Sequence, residues 1–534
     1  MLLMCVAADL LSGQEGTGAP LQPVAEEEQS EMEAADMPPA SPPEETDGAA
    51  VVYYIKDIVF DRSGKRLRTG LSWPYFLFRQ GEFKRGERIT GRDNLDNYRQ
   101  DKTQLLMNHR VLDYAYIDLV FEDPDADGSV PVILRVTTVD TATLIGLPQP
   151  RFDDNDGFRI VLKARDYNFL GTMTPLRFDF GYEYEYVGEE EKHSIFSLID
   201  SDIPFRLFGY TWNFDFDHYF SYTHEAPFHY KNTSGLSMEL PVRFTAITFG
   251  LAEEIVVNED NKTAYPEEFK NPLVEQEEGR YKEFYMSTAL SASWKIPTRV
   301  FVGKFGELTY TPKIEEKFNY TPGGDIGGLR RGARTSLGHS LGFGRVDWID
   351  NFRSGLDASI SNTNTYNGFK NSWSNSVDVS IAGHARIFSF FGFSGRLRYR
   401  DWFQDTYSEA GDSLRGVRDD DFPALRTLSL SIDFPFRVFM FMPSIWFNAT
   451  WLRFMNLEFH LGPIVDAAFA IAPDKPVISA DNIRVTAGLE LIAFSHFWRS
   501  LYLRLSGGVD LNKVITSGFD RSVLEIFLGM EHHF

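Results

Sequence analysis

The sequence predicts an all-β transmembrane barrel of about 16 antiparallel strands, preceded by one small α+β domain. Three observations predict it. Beyond about residue 142 the chain breaks into short runs of alternating apolar and polar side chains, separated by Gly, Asn, Asp and Pro. No long amphipathic helix interrupts these runs. Aromatic residues reach 15% of the chain while charged residues stay at 24% and glycines number 42, which suits a wall with one oily and one wet face.

The first residues, "MLLMCVAADLLSGQEG", hold a short apolar stretch with no basic residues before it. Three readings stand for residues 1–12: the remnant of a secretory signal peptide, a lipoprotein start acylated at Cys5, or neither. Met4 is bulky where an acylation site has a small residue. Residues 13–50 are acidic and proline-rich, with too few apolar side chains to offset the entropy of ordering them, and read as a disordered linker.

Residues 51–140 form the small domain. "VVYYIKDIVF" reads as a strand, whereas "LSWPYFLFRQGE" (71–82) and "NLDNYRQDKTQLLMNHRVLD" carry helical patterning, with Leu95, Tyr98, Leu105, Leu106 and Leu112 near a 3.6 period. Two more strands, "YAYIDLVFED" and "SVPVILRVTTVD", flank the turn signal "PDADG". The order β-α-α-β-β predicts a helical face on a three-stranded sheet.

The barrel is read over residues 142–534. In "LRTLSLSIDFPF", Leu428, Leu430, Ile432, Phe434 and Phe436 fall on one face, and Ser429, Ser431, Asp433 and Pro435 on the other. "LEFHLGPIVDAAF" opposes Leu457, Phe459, Leu461, Val465 and Ala467 to Glu458, His460, Gly462 and Asp466. The final "SVLEIFLGMEHHF" opposes Leu524, Ile526, Leu528, Met530 and Phe534 to Glu525, Gly529 and Glu531. A soluble sandwich also alternates, but one core could hardly bury so many aromatics over such a length. Dividing the region by roughly 24 residues per strand and connection gives the strand number. The apolar stretch 436–455 is interrupted by Arg437, Pro443, Asn448 and Arg453, and is expected to lie along the membrane interface between two strands rather than to cross as a helix.

Composition excludes several classes of function. The net charge is −23 and no Lys/Arg-rich run occurs, so no nucleic acid is expected as a partner. Cys5 is the only cysteine, leaving no disulfide framework, thiolate metal site or cysteine nucleophile. There is no H-E-x-x-H and no P-loop. The adjacent His532 and His533 point to opposite faces of a strand, and the other histidines are too scattered for metal-ligand spacing. No catalytic residues, no metal and no cofactor are expected.

Four local patterns resemble the BamA/TamA-like outer-membrane assembly superfamily, which includes the two-partner secretion translocators. "DGFRIVLKARDYNFLGTMTPLRFDFGY" (156–182) resembles that family's entry into the barrel. "LRGV" (414–417) resembles the Arg-Gly-aromatic motif of its sixth extracellular loop. "LSLSIDFPF" and "GPIVDAAF" resemble the following strands with their inward acidic residues. The order of the four and the terminal Phe534 match as well, and the resemblance spans about residues 51–534. It implies a periplasmic POTRA domain at 51–140 and a barrel in the bacterial outer membrane.

By the resemblance, the sixth loop folds back into the lumen and Arg415 reaches an acidic site there. Alternation independently places Asp433 and Asp466 on the wet face of neighbouring strands. A planar guanidinium can bridge such carboxylates, and Gly416 permits the tight turn beside it. Asp419 to Asp421 read as solvent-facing. The resemblance further implies a lateral seam between the first strand (about 157–166, with Ile160 and Leu162) and the last (about 522–534, with Gly529 and Phe534), where client strands are templated. Gly529 is expected to weaken the last strand.

The expected activity is therefore assembly or insertion of outer-membrane proteins. A translocator exporting one dedicated protein through the lumen, or a passive pore, is the alternative. Expected partners are outer-membrane lipids and unfolded outer-membrane protein clients, with periplasmic chaperones or accessory lipoproteins as candidates through the POTRA domain. Three departures from the family stand out: Val417 in place of an aromatic, His532 in place of an apolar residue, and one POTRA domain instead of several.

Overall fold

The computed structural model describes residues 51–61, 83–153, 157–187, 190–223, 228–243, 245–257, 284–320, 332–368, 371–403, 408–409, 413–417, 422–471, 482–519 and 523–529. The readings for residues 1–50, including Cys5, and the expected helix at 71–82 lie outside them.

The small domain contains β1 (Val52–Asp61), β2 (Arg88–Thr90), α1 (Arg92–Asn108), β3 (Leu112–Phe121) and β4 (Val130–Asp140). Its sheet has four strands in the order β2-β1-β4-β3, not three. The additional strand, β2, pairs antiparallel with Val52–Tyr54 and is too short for alternation to announce it. Leu112, read with the helix, begins β3 instead. Leu95 and Leu106 of α1 are buried with Tyr53, Ile55, Ile117, Val132 and Leu134, so the helix seals one face of the sheet by apolar burial.

The wall opens with β5 (Leu144–Asp153), β6 (Gly157–Asp166), β7 (Leu176–Val187), β8 (Glu190–Leu207), β9 (Tyr210–Thr223) and β10 (His229–Val242). It continues through β11 (Thr245–Val257), β12 (Phe284–Phe301), β13 (Glu307–Tyr320), β14 (Gly332–Ile349), β15 (Phe352–Asn367), β16 (Ser372–Phe388) and β17 (Phe391–Phe403). A connection carrying the short β18 (Ser408–Glu409) and β19 (Pro423–Ala424) leads to β20 (Arg426–Asp433) and β21 (Phe436–Phe441). The last strands are β22 (Leu457–Ile471), β23 (Ile483–Ser495), β24 (Tyr502–Asp510) and β25 (Leu524–Gly529).

Apart from β18 and β19, all of these close into one barrel, with β25 next to β5. β20 and β21 both pair with β17 and β22, so they are halves of one wall strand. Pro435, which has no N–H to give to a ladder, falls in the break between them. Among the described residues the wall therefore has eighteen strands, not sixteen. The estimate failed because its connections were too long: β8–β9, β14–β15 and β16–β17 are joined by two residues each. At two of these turns, Phe208-Gly209 and Asp350-Asn351, both residues have positive φ, as a two-residue hairpin of the primed type requires.

The outer face is apolar. Phe180, Leu251, Leu290, Ile360, Leu430 and Leu489 are exposed, while Ser429, Ser431, Asp466 and Glu490 are buried on the inner face. The apolar stretch is divided by the structure. Residues 436–441 are wall strand β21, followed by a short helix α2 (Pro443–Trp446) and a 3-10 turn at Thr450–Met455. No helix among the described residues is long and apolar enough to cross a membrane.

The small domain sits against one end of the barrel. Asn108 Nδ2 donates to Asp347 Oδ1 at 2.9 Å, and Asn108 Oδ1 accepts from Trp348 N at 2.9 Å. Arg110 Nε donates to the Arg499 carbonyl at 2.7 Å and Nη2 to Asn351 Oδ1 at 3.1 Å, with its guanidinium 4.3 Å from the Trp348 ring centre. Burial, and secondarily the neighbouring Arg499 charge, push the Arg110 guanidinium below its ordinary value, to about 9. Arg499 Nη1 in turn donates to the Leu112 carbonyl at 3.0 Å. The turns β14–β15 and β23–β24 therefore form the dock. Replacing Arg110 by Ala should weaken docking by roughly 2–4 kcal/mol, from the lost cation–π contact and charged hydrogen bonds. Hydrogen exchange should accelerate at residues 345–351 and 496–501 while the core of the small domain stays protected.

Candidate functional site

The connection between β17 and β20 leaves the end of the barrel opposite the small domain and turns inward. Ser408 and Glu409 pair with Ala424 and Pro423, which gathers its two arms. Leu414, Val417, Phe422 and Ala424 form a buried cluster with Ala468 and Ala470 of β22. Small inward residues on β22 thus leave room for the loop, and Val417 is 2% exposed despite not being aromatic. Asp419, Asp420 and Asp421 lie outside the described residues.

Arg415 stands at the tip and is 6% exposed. Its Nε and Nη2 donate to the two oxygens of Asp466 at 2.8 and 2.6 Å, and its backbone N–H donates to Asp466 Oδ2 at 3.0 Å. Its Nη1 lies 2.6 Å from Asp433 Oδ1 and 3.5 Å from Glu490 Oε2. Glu490 Oε2 is also 3.6 Å from Arg504 Nη1. One guanidinium therefore meets carboxylates from β20, β22 and β23, three consecutive wall strands. A forked, bidentate geometry of this kind belongs to Arg and not to Lys.

Backbone contact completes the seat. Gly416 has φ +110°, and a Cβ there would stand 2.6 Å from the Gly508 carbonyl carbon; a Cβ at Gly508 would stand 2.2 Å from the Arg415 carbonyl oxygen. Only glycine at both positions lets the loop tip lie flat on β24. The Gly416 N–H donates to Glu525 Oε2 of β25 at 2.6 Å.

Of the sequence-predicted residues, Arg415, Gly416, Asp433 and Asp466 are thus brought together. Ile160 and Leu162 are not at the barrel closure. They belong to β6, which pairs with β5 on one side and β7 on the other, because a further strand, 144–153, precedes the one taken as first. Both point outward, 48% and 37% exposed. The "NFLG" turn likewise follows the second strand, held by Asn168 Oδ1 accepting from Met173 N at 2.8 Å, and the inward loop is the seventh at its end of the barrel. Gly529 faces the lumen opposite Arg504, and the space its side chain would take is filled by the Phe527 ring, on which Arg504 rests at 4.4 Å. Phe534, His532 and His533 lie outside the described residues.

Sequence reasoning missed Glu490, Arg504, Gly508 and Glu525. Alternation does put the first two and Gly508 on the wet face. Nothing local in the sequence says which wet-face charges a distant loop meets. A further pattern, G-x-S-x-G at residues 338–342, does occur in the chain. It lies wholly inside β14, paired on both sides, without the strand-to-helix elbow that makes such a serine a nucleophile. No cluster of His, Cys, Asp and Glu among the described residues could hold a metal ion.

No protein-family model matches the chain, and no curated protein does. Among solved structures, BamA from Haemophilus ducreyi lacking POTRA domains 1-3 is similar at 11% identity and a TM-score of 0.41, over 90% of this chain and 84% of that one. CdiB from Acinetobacter baumannii is similar at 15% identity and 0.44, over 89% and 73%. CdiB from Escherichia coli is similar at 10% identity and 0.38, over 92% of each chain.

Removing one partner of a buried ion cluster strands the rest. Arg415→Ala and Asp466→Asn should each destabilise the loop seat by about 3–5 kcal/mol, and Asp433→Asn by less because it meets a single Arg415 nitrogen. Trypsin cleavage after Arg415 or Arg418 in folded protein should quicken in the order Asp466→Asn, then Asp433→Asn, then wild type.

Proposed function

We propose that this chain is an outer-membrane barrel of the BamA/TamA-like superfamily, with its small domain as a periplasmic POTRA domain, and that it assembles or inserts outer-membrane proteins. The observation that carries the reading is the Arg415 tip held in the lumen by wall carboxylates, the placement the sequence resemblance implies. The apolar outer face supports lipid around the wall, since each unpaired backbone group facing hydrocarbon costs several kcal/mol.

The working position would be the β5–β25 closure. β25 is the last wall strand and lies next to β5, the first. A ladder parted there offers unpaired N–H and C=O groups on which a client strand can form by β-augmentation. Such an exchange trades backbone hydrogen bonds for backbone hydrogen bonds and needs no nucleotide, metal or covalent catalysis. Among the described residues, β3 is an edge of the small domain's sheet, and its Tyr114 and Tyr116 are exposed. Periplasmic chaperones, accessory lipoproteins or client segments could add to that edge in the same way.

A second reading, export of one dedicated protein through the lumen, draws on the plug being held by ion pairs and hydrogen bonds that can be released. Depletion of the protein followed by proteomics of the outer membrane separates the two. Broad loss of barrel proteins is expected; loss of one secreted protein with the barrels intact would favour export. Deleting residues 411–421 should raise single-channel conductance of the purified protein in planar bilayers.

A further inference from the structure

The loop tip lies along one lateral row of the wall. Register places Asp433 of β20 opposite Ile464, Ile464 opposite Gly488, Gly488 opposite Gly508, and Gly508 opposite Glu525 of β25. Acidic residues stand at the two ends of this row, and two glycines clear its middle. Arg415 takes the first acid through its side chain, and Gly416 takes the last through its backbone N–H. The next residue of the loop thus crosses the interval that the glycines leave open.

We infer that the loop tip is a tie that holds the closing strand β25 in the wall, with Glu525 as its anchor. Five consecutive wall strands, the split β20–β21 and then β22 to β25, are joined by this row into one block. The tie thus ends on β25, the strand that borders β5 at the closure. While the tip is seated, β25 is held both by its ladder to β24 and by the Gly416–Glu525 bond. When the tip leaves the lumen, that bond is lost and β25 keeps its ladders without it. Loop release and freeing of the closing strand are then one event. The device deepens the proposed function and rests on it for its meaning, since it would decide when the β5–β25 edge becomes available.

The test needs no client. Purified full-length protein in nanodiscs is compared as wild type, Glu525→Gln and Asp466→Asn by hydrogen–deuterium exchange. Both variants should speed exchange of residues 524–529 at least about tenfold, the effect of losing one charge-assisted hydrogen bond. β10 and β11, far around the wall, should be unchanged and report that the barrel is folded. Asp466→Asn is the decisive arm, because it lies three strands from β25 and can act there only through the loop. Unchanged exchange at 524–529 in Asp466→Asn, with the loop itself newly exchanging, would overturn the tie while leaving the assembly reading untouched. The converse, a confirmed tie with normal outer-membrane proteins after depletion, would overturn the assembly reading alone.

Discussion

A cation buried inside a closed sheet constrains everything near it. The Arg415 guanidinium is taken out of water, and only carboxylates at hydrogen-bonding distance can offset that loss. Asp466 supplies a two-pronged contact and also accepts the backbone N–H, Asp433 supplies a third contact, and Glu490 stands slightly farther off. Three carboxylates together would be untenable with one cation. Arg504 lies against Glu490, and Arg353 lines a cavity of about 40 Å³ with Asp433 and Glu490. The cluster is therefore close to charge balance, and it draws its members from β15, β20, β22, β23, β24 and the loop. Glycines at 416 and 508 follow from the same demand, since the guanidinium reaches its partners only if the backbone behind it touches the wall.

Closure of the sheet is the second constraint, and it links the seat to the dock. With eighteen antiparallel strands the first and last meet antiparallel, and β5 begins at the end where the small domain sits. The turn between β23 and β24 is where Arg499 and Ser500 bond the small domain, and Trp498 Nε1 donates to the Leu144 carbonyl at the start of β5. The same two strands carry Gly488 and Gly508 beneath the loop tip. The β23–β24 half of the dock, the loop seat and the closure thus share one sector of the wall. Phe494 of β23 stands between them, in contact with Trp348, Tyr502 and His460.

Much of this was legible in the sequence because a two-faced wall writes its parity into every strand. Asp433 and Asp466 could be assigned inward from alternation alone. The alternation also held for Glu525 and Gly529, which face the lumen as their spacing requires. Strand number was not legible, since two-residue hairpins such as Asp350-Asn351 leave almost no punctuation between strands. Residues 144–153, with two prolines, did not read as a wall strand, and so Ile160 and Leu162 were placed at the closure. Gly529 was read as a weak point, whereas it admits the Phe527 ring. Glu490, Arg504 and Glu525 were invisible as partners of the loop because pairing across strands depends on register, and register is set by turns and bulges far away in sequence.

Why the seat is ionic at all is the remaining physical question. An apolar plug of equal volume would be as stable or more so, because desolvating a charged cluster consumes most of what its attraction returns. Stability therefore does not account for the choice. An apolar tip expelled into water would expose its whole surface and pay the full hydrophobic cost. A guanidinium expelled into water is rehydrated, and the carboxylates it leaves behind are rehydrated once water enters the lumen. Each partner alone is strongly penalised while the lumen stays dry, yet both are comfortable when the loop is out and the lumen is wet. The ionic seat thus has two low-energy arrangements separated by an unfavourable half-released one, which is what a loop needs if it must be either fully in or fully out.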